Sequence, residues 1–349
     1  MTRRTIIIIL AALLALALPQ RLCASGHGEE GEFSPKEMVM EHLADSYEWH
    51  ITTIKDKDIV VPLPIIVRSS TGWHVFSSDK VCHGGTYEGL YIANEGKYKD
   101  KLVEDVGGEQ KRPVDLSLTK TACGAIFSLL VVLVLFLVTA RAYKKRDEVD
   151  YCPKGLAGLM EWLISSILDS VIKPCVGSNW RKFAPYLLTA FFFIFVTNLL
   201  GLIPIFPAGA NVTGNITITL FMAVMTLLAV NLFGSKHYYK EIFWPDVPIF
   251  LKAIPLMPLI EIIGIFTKPF ALMMRLFANI LAGHSIILSL CCIIFVTVHM
   301  GAAVNGSMTA VALLFMIFMN CLELLVAFLQ AYVFTMLSSV FIGLAQEGH

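Results

Sequence analysis

The sequence predicts an all-α integral membrane protein with about five membrane helices and one interfacial amphipathic helix. The last two helices are expected to be long and strongly tilted, and a small mixed extracytoplasmic segment precedes the membrane part. Three observations carry this. The 349 residues are 56% hydrophobic and 15% charged, against about 25% charged in soluble domains, and the mean hydropathy is +0.70. The apolar residues gather in runs of the ~20 that cross a bilayer as a helix. The charges collect between those runs, apart from a few that stand inside them. A net charge of +0 gives no electrostatic basis for a nucleic-acid partner. No GxxxxGKS or GxxxxGKT loop is present to hold a nucleotide, so no cofactor is implied.

The chain opens with MTRRTIIIILAALLALALPQRLCASG. Two arginines, an apolar core and small residues at Ala24 and Ser25 have the form of a secretory signal peptide, so residues 1–24 are expected to be removed near Ala24. Residues 25–120 form the extracytoplasmic segment. VMEHLADSYEWHI reads there as a short amphipathic helix, and DIVVPLPIIVRSSTGWHVFSS as short strands around a Ser-Ser-Thr-Gly turn. His27, His42, His50, His74 and His83 lack ligand spacing and read as solvated surface. Cys82 is the one cysteine in this segment, so no disulfide closes within it, and no cysteine in the chain shows metal-site spacing.

Residues 121–349 are the membrane domain. Thr121 to Ala140 carries no charge and is long enough to span. Gly155 to Lys173 contains Glu161 and Asp169 and reads as an amphipathic helix lying in the interface. Ala184 to Phe206 and Ile216 to Phe233 are two more spans. Ile249 to Val296 and Met308 to Leu344 each exceed one perpendicular crossing, which requires tilt, curvature or a break, and Pro255, Pro258 and Pro269 permit bends in the first. Residues 141–182 hold eight Lys or Arg. Loops 204–215 and 297–308 hold none. Positive loops stay cytoplasmic, which places the N-terminal segment outside and the C-terminus inside.

Ionisable groups inside the membrane are functional candidates by default. The first long run carries Glu261, Lys268, Arg275, Asn279 and His284; the second carries Asn320, Glu323 and Gln330. At about 100° per residue, Glu261, Lys268, Arg275 and Asn279 share a helix face within about 40°, and His284 lies about 180° from Arg275. Glu323 and Gln330, seven apart, share a face of the second helix. The topology stacks these groups by depth: an outer pair of His284 and Glu323, a central cation with the amides Asn279 and Gln330, and an inner carboxylate, Glu261. Arg275 stands out because a guanidinium does not shed its charge on burial and costs at least roughly 2.5 kcal/mol at the bilayer centre. Asn198, Asn231 and Asn320 read instead as hydrogen-bonding neighbours within the bundle, and Lys268 as able to snorkel to the interface.

MMRLFANILAGH together with LELLVAFLQAYVFTML resembles subunit a of the F-type ATP synthase. TNLLGLIP, NITITL, EIIGIFTKPF and the final AQEGH extend the likeness from about Thr121 to the C-terminus. The N-terminal extension departs from the commonest short form. The resemblance implies a proton-translocating stator without catalytic chemistry of its own, working with a c-ring, a subunit b stalk and other ATP synthase subunits in a bacterial inner membrane. Arg275 matches the family's essential arginine, Asn279 and Gln330 its polar companions, and His284 and Glu323 a histidine–acid pair. Glu261 matches a carboxylate of the cytoplasmic exit path. The carried ion is H+ or Na+, a choice that rests on the c-subunit. A secondary proton-coupled transporter is the rival reading; it calls for repeated hydrophobic segments, and none is found.

Overall fold

The computed structural model describes residues 45–54, 57–82, 85–93, 98, 100–106, 109–144, 155–203, 209, 211–243 and 256–346. The expected signal peptide lies outside them. The chain divides into two compact units, one of 1–127, 201–212 and 284–320, the other of 128–200, 213–283 and 321–349.

Eight strands shape the first unit among its described residues: β1 (Glu48–Ile54), β2 (Lys57–Pro62), β3 (Pro64–Ser69), β4 (Gly72–Ser77), β5 (Leu90–Ile92), β6 (Leu102–Val106), β7 (Glu109–Lys111) and β8 (Val114–Asp115). They pair antiparallel as β1–β2, β4–β3–β8 and β5–β6–β7. Alternation along β3 sends Ile65 and Val67 inward, where both are fully buried with Tyr47, Phe76, Val81, Leu90 and Leu102. The Tyr47 hydroxyl donates to Asp115 at 2.5 Å. Burial, reinforced by that carboxylate, pushes the phenol pKa up.

The Ser-Ser-Thr-Gly turn lies where the sequence puts it, with Ser69 paired to Gly72 across the hairpin. Gly72 has φ +137°, a conformation side chains rarely adopt. Ser70 ties the turn to β6, its backbone N–H and its hydroxyl both donating to Glu104. Those bonds hold the Glu104 carboxyl below its usual range. Two expectations change here. His74 is half-buried rather than solvated, with Nδ1 2.5 Å from Glu88 and Nε2 bonded to Thr71 and Ser69. The last four residues of the expected amphipathic helix, Glu48 to Ile51, instead open strand β1, because Trp49 and Ile51 favour extended backbone and β2 satisfies the strand's hydrogen bonds.

The membrane part follows the predicted runs closely. We label its helices α1 (Lys120–Lys144), α2 (Leu156–Ile167), α3 (Trp180–Gly201), α4 (Ile216–Leu232), α5 (Lys236–Phe243), α6 (Leu256–Thr297) and α7 (Ala302–Gln346). Four helical runs among the described residues are long and apolar enough to cross a membrane, and α4 is a shorter apolar helix; the protein is a multi-pass membrane protein. Beyond α2 the chain widens into a π-turn over Leu168–Ile172, just before Pro174, whose missing N–H cannot continue the α-helical ladder. Asn215 caps α4, its side chain accepting from the Thr217 N–H at 2.9 Å.

α6 and α7 run 42 and 45 residues without a break, about 63 and 68 Å at 1.5 Å per residue. That is about twice the ~30 Å hydrocarbon thickness, so the expectation of strong tilt stands on length alone. Pro269 lies inside α6 and does not end it. In the second unit Leu187, Phe191 and Phe192 of α3 pack with Leu272 and Leu276 of α6 and Ala331, Phe334 and Ile342 of α7. A hydroxyl chain threads this core: Tyr186 bonds Thr226 at 2.9 Å, and Thr226 reaches Ser338 at 3.4 Å.

Candidate functional site

The candidate residues lie on α6 and α7. Leu272, Met273, Leu276 and Ile280 form the buried stripe of α6, and this fixes the rotation of the helix. The opposite stripe is exposed: Phe270, Ala271, Met274, Arg275, Ala278, Asn279 and Ala282. Arg275 precedes the fully buried Leu276, so its guanidinium is presented outward from a packed helix. It makes no ion pair among the described residues.

α7 turns a buried polar stripe inward. Asn320, Glu323, Gln330, Thr335, Ser338 and Ser339 are all less than a tenth exposed. The structure brings Asn279 and Gln330 together, the Asn279 Nδ2 donating to Gln330 Oε1 at 2.9 Å. One turn along α6 from Asn279, the Glu323 carboxyl lies over Gly283, where an added Cβ would stand 3.0 Å from Oε1 and 3.3 Å from Cδ. The two contacts stack along the antiparallel crossing of these helices, each an α7 polar group set against α6.

His284, Glu261 and Lys268 complete the candidates on α6. His284 follows Gly283 and is half-buried; it begins the part of α6 that belongs to the first unit. Glu261 is half-buried near the start of α6, close to Tyr238 of α5. Burial, then Tyr239 and Glu261, push the Tyr238 phenol pKa up. Lys268 places its ammonium 5.8 Å from the centre of the Phe341 ring, a cation–π contact. The three other asparagines bond within the protein: Asn198 accepts from Thr213 at 2.7 Å, while Asn231 and Asn320 donate to Leu227 and Met316 carbonyls at 2.9 Å.

Sequence reasoning missed Gly283 and Tyr238. Gly283 carried a usable signal, a glycine one turn beyond Asn279 in the interior of a long helix; Tyr238 carried none, since its neighbour is set by a fold between helices.

Two families match separate parts of the chain. Residues 125–343 match the family described as ATP synthase A chain, and residues 38–116 match one described as Domain of unknown function (DUF8433). The chain is 46% identical over 240 residues to a Chlorobaculum tepidum protein named ATP synthase subunit a 2, covering 66% of this chain and 64% of that protein. It is 43% identical over 244 residues to ATP synthase subunit a of Pelodictyon phaeoclathratiforme, covering 68% of each. Against ATP synthase subunit a of Myxococcus xanthus it is 36% identical over 250 residues, 69% of this chain and 77% of that one. The chain thus spans just under two thirds of the Chlorobaculum relative's length. With the family's match running through all of the membrane helices from α1 to α7, the chain belongs to the ATP synthase A chain family.

Proposed function

We propose that the chain is the proton-translocating stator of an F-type ATP synthase, set in a bacterial inner membrane against a ring of c subunits and tied to a b stalk. Its N-terminal segment lies outside and its C-terminus in the cytoplasm, in line with the basic loops between α1 and α3. A proton enters from outside along a hydrated path past His284 and Glu323 and neutralises a ring carboxylate, which can then face lipid. After nearly a full turn the carboxylate reaches an inner path near Glu261 and releases its proton. The ionised carboxylate is drawn to Arg275, whose fixed charge disfavours a proton there and keeps the two paths apart. Each charge that crosses is worth about 2.3 kcal/mol per 100 mV, delivered as rotation.

The observation that carries this reading is Arg275 itself: a permanent cation presented outward from a membrane helix, without an ion-pair partner among the described residues. A carboxylate on a neighbouring subunit would compensate such a charge. Ala271, Ala278 and Ala282 flank it on the exposed stripe, and small residues let a second helix approach closely. The Asn279–Gln330 bond beside it holds two amides in a fixed orientation without neutralising the cation. A purified complex containing this chain, reconstituted into vesicles, should copurify with a ring and a stalk and acidify the lumen on addition of ATP. A complex that hydrolyses ATP with ring and stalk present, yet never moves protons, would overturn the assignment.

A further inference from the structure

Most of the β domain ahead of α1 falls in the segment matched by a family described as of unknown function, and one of its faces is built unlike the others. Register places three rows across the β4–β3–β8 sheet on the same side. They are Trp73–Arg68–Val114, then Val75–Ile66–Leu116, then Ser77–Pro64–Leu118. The opposite side carries the fully buried Ile65 and Val67. On the outward side Trp73, Val75, Val114 and Leu116 are 58–70% exposed, four large apolar side chains on one small sheet. A soluble surface scatters such residues singly; a contiguous patch marks an interaction site.

The patch cannot drift away from the membrane. Leu118 N–H donates to the Pro64 carbonyl at 3.2 Å, Lys120 N–H to Ser46 at 3.0 Å, and Thr121 N–H to the Asp45 carboxylate at 3.1 Å. The strand is hydrogen-bonded almost to the residue where α1 begins. At about 3.3 Å per strand residue, Leu118, Leu116 and Val114 stand no more than roughly 7, 13 and 20 Å of chain from Lys120. At the far end of the face stand two cations: Arg68, whose guanidinium lies 5.9 Å from the Trp73 ring, and the exposed Arg112, two residues before Val114 along the chain. An apolar patch with a tryptophan and a basic rim is the composition of elements that lie in the headgroup zone of acidic membranes.

We propose that the outward face of the β4–β3–β8 sheet docks on the bilayer beside α1, with Trp73, Val75, Val114 and Leu116 in the headgroup–acyl boundary and Arg68 and Arg112 on phosphates of acidic phospholipid. This rests only on α1 crossing the membrane, not on how protons move. The domain then acts as an outrigger that sets the tilt of the first membrane helix.

The test uses the full chain in phosphatidylcholine vesicles with and without phosphatidylglycerol, doped with a phospholipid carrying a diazirine near the headgroup end of its acyl chain. After photolysis, lipid adducts are mapped by mass spectrometry. Adducts on peptides containing Trp73, Val75 and Leu116 are expected, increased several-fold by phosphatidylglycerol and lost in the double variant Val75→Ser/Leu116→Ser. Both side chains are exposed, so the core of Ile65, Val67 and Phe76 survives that change. A second variant, Arg68→Gln/Arg112→Gln, should abolish the phosphatidylglycerol effect and keep the basal adducts. Labelling confined to α1, with none on the sheet, overturns the proposal, as does replacement of lipid adducts by crosslinks to another protein at the same residues.

Discussion

At Gly283 the α6 backbone comes within contact of the Glu323 carboxyl, and the difference between glycine and alanine there is one atom. That atom would meet Oε1 at 3.0 Å, so the carboxyl must give by a few tenths of an ångström. We expect Gly283→Ala to fold and assemble but to slow ATP-driven proton pumping several-fold, while Ala282→Gly, on the exposed stripe one residue away, changes little. Equal pumping by Gly283→Ala and wild type would remove Gly283 from the account. The Asn279–Gln330 bond is measurable as a coupling. A double-mutant cycle with Asn279→Ala and Gln330→Ala, read by thermal unfolding in detergent, should return about 0.6 kcal/mol, the usual worth of an interhelical bond in a membrane. Additive single changes would show that the amides act separately. The identity of these residues was legible in the sequence, because an intramembrane amide or acid is conspicuous among apolar neighbours. Their pairing was not. Helical angle arithmetic gives the position of Asn279 relative to Arg275, but it does not say which side of α6 faces α7.

Among the elements, the long helices were read from sequence to within two residues at their C-terminal ends and six or seven at their starts, since an apolar run has few alternatives once it must span lipid. The strand β1 was not, because a short polar–apolar mixture fits both periods and only β2 decides between them. Packing adds constraints that no single helix carries. Gly343 of α7 lies against the backbone after the π-turn, where an added Cβ would fall 1.9 Å from the Cys175 carbonyl oxygen. A backbone atom cannot step aside cheaply, so Gly343→Ala should cost about 1–3 kcal/mol and lower the unfolding temperature in detergent. Gly264→Ala serves as the control: nothing lies within 4 Å of its Cβ position, and the added methyl should stabilise α6 by about 0.5–1 kcal/mol. In the β domain, the lowered carboxyl of Glu104 contributes stability that is present above the unfolded-state pKa of about 4.3. That contribution is lost as pH falls through the lower folded value. Hydrogen exchange at β6 amides should therefore show a gap between wild type and Glu104→Gln at neutral pH that closes in acid. A gap independent of pH would contradict the origin assigned to it.

For the whole molecule, the central claim is that one fixed charge separates two proton paths. The sequence exposed the charge, since Arg cannot be neutralised by burial, but not its setting: only packing of Leu272, Leu276 and their partners presents Arg275 outward, without an ion pair among the described residues. Removing the guanidinium should leave the apolar helices able to insert and the ring able to assemble. Lys in its place keeps a charge, but desolvation can strip its proton, and it lacks the planar fork that holds a carboxylate. The direct measurement is passive proton flux and ATP synthesis together, in vesicles carrying the assembled complex under an imposed potential, for wild type, Arg275→Lys and Arg275→Ala. The account predicts no synthesis from either variant, with a passive leak largest in Arg275→Ala and smaller in Arg275→Lys. Normal ATP synthesis by Arg275→Ala, with its ring in place and no added leak, would contradict it.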